Sequence, residues 1–148
     1  MDNTRLINGV VGGVMPVLAI SAAAAATIKT TNAVNVKIDG VVSTIAAATL
    51  AALTTALNVA AASTAVIGVY VNAAGTATYS LSNVVLNTAI AANTIFPTTT
   101  TVPQEVPGKA LIGWVVVKAT TTLFTAGTTA FDAATYTVTY IDKPAVSL

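Results

Sequence analysis

The amino-acid sequence predicts an all-β fold, an antiparallel β-sandwich or small barrel built from hairpins. Three observations support this prediction: segments that alternate apolar and polar residues occur in pairs, turn-forming residues join their arms, and β-branched Val and Thr recur throughout. The chain has 148 residues, which suits one ordinary domain. We expect a β domain over 27–148, preceded by an N-terminal extended arm over 1–26.

The first hairpin is the stretch "VNVKIDGVVSTI" over 34–45. Its arms alternate in polarity, and Asp39-Gly40 between them is a strong sequence signal for a two-residue hairpin turn. We therefore predict strands at about 33–38 and 41–45, with Asp39 serving as a turn residue.

A second hairpin follows in "VIGVYVNAAGTATYSL" over 66–81. An apolar strand leads into a four-residue connection, 72–75, whose Gly75 can adopt a left-handed conformation. The alternating arm "TATYSL" then returns. This pattern predicts strands at about 65–71 and 76–81.

The third pair lies in the last third of the chain. "KALIGWVVVKA" (109–119) is typical of a buried strand, and "ATYTVTYID" (134–142) alternates cleanly. The fourteen-residue loop between them is too long for a tight turn, so we expect it to cross an edge or end of the sheet. Before this pair, three prolines predict an extended crossover: Pro97, Pro103 and Pro107.

The connection between the first two hairpins allows two conformations. Leu50, Leu53 and Leu57 are spaced as one narrow helical stripe, and Ala favours helix, which predicts a short helix at about 46–57. Its threonines lower helix propensity, so a loose extended segment remains an alternative.

The charge-free run from Gly40 to Gln104 is too weakly hydrophobic, and too poorly flanked by basic or aromatic residues, to predict a membrane span. The Gly- and Pro-interrupted N-terminal stretch is not expected to be a cleaved signal peptide.

The amino-acid composition excludes most catalytic mechanisms and metal sites. The chain has no His and no Cys, which removes catalytic triads, imidazole acid–base catalysis and ordinary zinc sites. Glu105 with Asp132 is the one acid pair that could act together, and Asp132 is as simply a cap of a short turn. Trp114 and Tyr140 could form a sugar-stacking platform, although packing is the simpler use. We expect no catalytic residue, cofactor, metal or small-molecule substrate.

Charge patterning points to protein partners. Only 7% of the residues are charged, against about 25% in a typical soluble domain. The six basic residues are scattered, which argues against nucleic-acid binding. A chain so poor in charge is expected to cover apolar surface with partner subunits, as a homo-oligomer or an assembly component.

A family resemblance covers about 33–142. "KIDGVVSTIAAAT", "VYVNAAGTATYS" and the Pro/Thr crossover precede "PGKALIGWVVV", "FTAGTTAFDA" and "YTVTYID". This ordered run resembles a group of tailed-bacteriophage structural proteins found on virion surfaces. The resemblance implies a small β-rich capsid accessory protein of the cement, decoration or head-fibre kind, often trimeric, that binds the major capsid protein on the outer capsid surface. It implies no catalytic residues.

Two other structural roles stay open. A phage tail-fibre or receptor-binding module would share the β-rich, Thr-rich and oligomeric character. A cellular surface-layer or pilus subunit would need an export signal, which the first thirty residues match poorly.

Overall fold

A computed structural model describes residues 8–54, 56–90 and 101–145, and this part of the chain folds into antiparallel sheets without an α-helix. Its only helical element is a 3₁₀ turn at Asn87–Ala89. The strands are β1 (Gly9–Val11), β2 (Leu18–Ile20), β3 (Ile28–Thr30), β4 (Val34–Ile38), β5 (Val41–Ile45), β6 (Ser63–Val71), β7 (Ala77–Leu81), β8 (Val85–Leu86), β9 (Ala110–Ala119) and β10 (Tyr136–Asp142).

The largest sheet has the order β10-β9-β6-β7, and β8 also pairs with β6. All nine residues of β6 are buried, because this strand is covered on both faces of the sheet. β9 runs antiparallel beside it with a bulge at Val69 and Tyr70. Ile67 and Val115 face the core from these two central strands.

A three-stranded sheet, β1-β4-β5, packs onto the large sheet in sandwich fashion through contacts of β1 and β4 with β9. Val34, Val36 and Ile38 point into the shared core, which confirms the alternation expected for this strand. Asp39 and Gly40 have φ values of 50° and 87°, the two left-handed residues of a type I′ turn. The described strands form open sheets and not a closed barrel.

The expected N-terminal arm is not what residues 8–26 form. β1 pairs with β4, and β2 pairs with β3 in a two-stranded sheet. Val10 is fully buried and Leu18 nearly so. These short strands belong to the β fold because their backbone groups and apolar side chains find partners within the same chain. Residues 1–7 of the expected arm lie outside the described part.

The short helix expected at about 46–57 is wrong, and the extended alternative describes residues 46–54 and 56–57. Thr49 forms an isolated bridge with Lys29, and the Leu50 amide donates to the carbonyl of Ile28 at 2.9 Å. Leu50 and Leu53 are buried in the core without helical geometry. Backbone pairing with β3 outweighs the helix propensity of the alanines, since the threonines weaken that propensity.

The proline-rich connection takes the expected extended form in its described part. Residues 101–107 contain no strand and run over the outer face of the large sheet, which fits an extended proline crossover; Pro97 lies outside the described residues. The loop over 120–135 joins β9 to β10. It places Phe124 and Phe131 in the core, with ring centroids 5.4 Å apart.

Candidate functional site

The acid pair considered from the sequence is not assembled. The Asp132 carboxylate accepts a hydrogen bond from the Ala24 amide at 2.9 Å, while Glu105 forms an ion pair with Lys143. Glu105 belongs to the crossover on the outer face of the large sheet, and Asp132 lies with the core-side residues of β10. The two carboxylates therefore do not flank a common cleft. Asp132 ties two loops together and does not cap a helical turn.

Trp114 and Tyr140 do not form one platform. Tyr140 is paired with Val115, whereas Trp114 is paired with Ile141, so the two rings project from opposite faces of the sheet. The indole Nε1 of Trp114 donates to the carbonyl oxygen of Pro103 at 2.9 Å. Trp114 thus fastens the proline crossover to β9.

The remaining described carboxylates have structural roles. The Asn8 side-chain oxygen accepts from the Asp39 amide at 2.8 Å, and the Asn8 amide nitrogen donates to the Asp39 carboxylate at 3.2 Å. Asp142, the last residue of β10, accepts from the Leu18 amide at 2.9 Å. Within residues 8–54, 56–90 and 101–145, no group of three acids could hold a metal ion, and no helix is long and apolar enough to cross a membrane.

The most exposed apolar feature is the edge of the three-stranded sheet. β5 is hydrogen-bonded to β4 on one side and has no described strand on the other. Val41 is 65% exposed and Val42 50% exposed. Because they are consecutive strand residues, they project to opposite faces, and Val42 pairs with Lys37 while Val41 pairs with Ile38. We name Val41 and Val42 the β5 edge valines.

This edge lacks the usual protection against pairing with another chain. Natural edge strands commonly carry Lys, Pro or a bulge, which discourage strand addition. β5 reads Val-Val-Ser-Thr-Ile, with neither charge nor proline, and pairs with β4 in unbroken register. The arrangement suits contact with another protein surface.

A local feature of the sequence also indicates this exposed edge, although a search for alternating polarity does not detect it. Two consecutive valines directly after the Asp39-Gly40 turn break the alternation of apolar and polar residues. In a strand with one buried face, one of two adjacent valines must point away from the core. The break therefore marked an apolar residue on the outer face of β5.

A second feature is an open groove of about 340 Å³ along β10. Phe131, Val138 and Ile20 give it apolar walls, and Asp132 and Tyr140 supply polar groups. Burial, with a smaller contribution from the negative charge of Asp132, raises the pKa of Tyr140 to about 12. The phenol therefore keeps its proton at neutral pH.

Comparison of the chain with protein-family models, with curated proteins and with solved structures found no match in any of the three. Function therefore has to be inferred from the sequence and from the surfaces described above.

Proposed function

We propose that the protein is a capsid cement or decoration protein, which binds the outer surface of a tailed-phage head and stabilises it by bridging capsomers. The ordered sequence fragments over 33–142 that resemble virion-surface proteins suggest the class. The observation that carries the proposal is the apolar, unprotected β5 edge on a chain with only eleven charged residues. Such a surface is costly to leave in water and suits permanent contact with protein.

The action of such a subunit is mechanical. We propose a homotrimer, because threefold symmetry lets one protein occupy threefold or quasi-threefold positions of a shell. Three copies of a modest contact then act as one multivalent attachment. Bridging neighbouring capsomers opposes the outward pressure of packaged DNA, and no catalytic group is required for it.

Gradient co-sedimentation tests this proposal. The purified chain is mixed with DNA-filled heads, and separately with tails, from the phage that encodes it. We expect the chain to travel with heads and to reach a fixed number of copies per head. Travel with tails would instead support the tail-fibre or receptor-binding alternative, and travel with neither would refute a virion role.

A further inference from the structure

We propose that the groove along β10 binds the side chain of a Lys or Arg carried by a partner polypeptide. This inference stands on the groove itself and does not depend on the phage-head proposal. It concerns a different surface from the β5 edge valines, which are apolar and lie on the other sheet.

The charge of the groove is unbalanced. Among the described residues that line it, Asp132 is the only carboxylate and none is Lys or Arg. One oxygen of Asp132 accepts from the Ala24 amide, but no cationic side chain pairs with this carboxylate within the described residues, where the ion pair is that of Glu105 with Lys143. A positively charged ligand would complement this charge.

The polar groups beside Asp132 are few. The Tyr136 hydroxyl donates to the carbonyl of Leu123 at 2.8 Å and also meets Thr122, so it is already engaged. The Tyr140 hydroxyl has no hydrogen bond within the described residues and keeps its proton, as its raised pKa requires. A neutral sugar needs several converging hydrogen-bonding groups, and besides the acid and the engaged Tyr136 the described lining supplies only the Tyr140 phenol and Thr137.

The walls match an alkyl chain that ends in a cation. Val138 and Ile20 can contact the methylene groups of a Lys or Arg stem, and the Tyr140 ring, half-buried against Phe131, lines the same groove as the carboxylate. Aromatic faces attract ammonium and guanidinium groups. A volume of about 340 Å³ is at the lower end for ligand pockets, which suits one side chain.

The position of the groove favours a polypeptide as the source of this cation. β10 is the terminal strand of the large sheet and is hydrogen-bonded on one side to β9. A partner segment could therefore lie along β10 while placing one side chain in the groove. A free diamine or polyamine carries two or more cations, but the groove supplies a single carboxylate.

Amide chemical shifts of the full chain test the ligand class. The probes are Nα-acetyl-lysine N-methylamide, its arginine counterpart and the uncharged norleucine analogue, each titrated to about 50 mM because a single side chain binds in the millimolar range. We expect the cationic probes to shift the amides of Asp132, Val138 and Tyr140, with about two- to fivefold tighter binding than norleucine. Equal binding by norleucine, or no shift with any probe, would overturn the inference.

Two variants test whether the Asp132 carboxylate is the group that attracts the cationic probes. Asp132→Asn keeps an oxygen for the Ala24 amide but removes the negative charge, and we expect it to abolish the preference for cationic probes. Glu105→Gln, an acid removed on the opposite face, should leave that preference unchanged. A preference that survives in Asp132→Asn would contradict the assignment.

A third comparison distinguishes a polypeptide from a free diamine as the carrier of the bound cation. Acetyl-Val-Lys-Val-amide should bind more tightly than the single lysine probe, because its backbone can pair with β10. Putrescine should bind no more tightly than the lysine probe. Tighter binding of putrescine would point to a free diamine and would refute the polypeptide assignment.

Discussion

Gly68 lies directly beneath Pro103, so closely that a Cβ added to Gly68 would come within 2.6 Å of the Pro103 Cβ. The crossover is held to the sheet on both sides of this contact. The Trp114 indole donates to Pro103, and the Tyr70 hydroxyl donates to the carbonyl of Gln104 at 2.6 Å. Gly68 is therefore required for close packing of the crossover, which covers the outer face of β6.

Gly68→Ala is expected to destabilise the protein by about 1–3 kcal/mol, because the added methyl group must displace the crossover or the Tyr70 ring. Urea unfolding measures the loss. The fluorescence of Trp114, the only tryptophan, should shift to longer wavelength if the crossover moves away. In a Pro103→Gly background the same substitution should cost less, and an unchanged cost would show that this contact is not the cause.

The N-terminal segment offers a second prediction. Val10→Ala should lower the free energy of unfolding by about 2 kcal/mol, because Val10 is fully buried against the core. Val14→Ala is the matched control, since Val14 is 50% exposed, and should change stability by less than about 0.5 kcal/mol.

Deletion of residues 1–26 should abolish cooperative unfolding of the remaining chain. A folded deletion variant would restore the arm interpretation.

Alkaline pH should weaken the fold through its buried tyrosines. Burial raises the pKa of Tyr79 well above its ordinary 10, and Tyr140 is raised to about 12. Above pH 10 the unfolded chain loses these protons while the folded chain retains them, so the free energy of unfolding falls as pH rises. The stabilisation is complete below pH 10 and is lost progressively toward pH 12.

The Tyr79→Phe variant isolates the contribution of Tyr79 to this pH dependence of stability. At neutral pH the variant should lose about 1 kcal/mol, because Tyr79 no longer donates to the carbonyl of Ala51. Between pH 10 and 12 its stability should fall less steeply than that of the wild type. Chemical unfolding at a series of pH values gives both slopes, and equal slopes would exclude Tyr79 as a source of the dependence.

The β5 edge valines are expected to mediate association. Val41→Ser with Val42→Ser should weaken trimer formation or head binding by at least about tenfold, since two exposed apolar side chains lose their contacts. Sedimentation velocity tests for the proposed trimer, at about three times the 14.7-kDa chain mass, and co-sedimentation tests for the proposed head binding. Leu86→Ser is the control, because Leu86 is 61% exposed on β8 in the other sheet. An equal effect of both changes would remove the special role of the edge.

The long strands were predictable because their signals are local. Alternation and the Asp39-Gly40 turn placed β4 and β5 within a residue of their bounds, and the other hairpins were nearly as close. The three-residue strands β1, β2 and β3 and the two-residue β8 were missed, since runs so short show no period and depend on distant partners, as β2 does on Asp142. The helix expected around Leu50 failed for the same reason: its backbone partner, Ile28, is far away in sequence.

The candidate sites were less accessible to sequence reasoning. Which face Trp114 and Tyr140 occupy depends on strand register, and composition carries no information about register. The groove along β10 arises where Ile20, Asp132 and Tyr140 meet from three separate parts of the chain. The β5 edge could be suspected from consecutive valines, but that no described strand pairs with its other side is a property of the sheet order.

An image reconstruction of the mature virion tests the central proposal most directly. The proposal predicts that electron cryo-microscopy of virions whose genome encodes this chain will reveal β-rich density on the outer surface of the head, at threefold or quasi-threefold positions, into which three copies of the fold can be fitted. The β5 edge valines should lie at a protein contact. Density for the chain on the tail, or a head surface without it, would contradict the proposal.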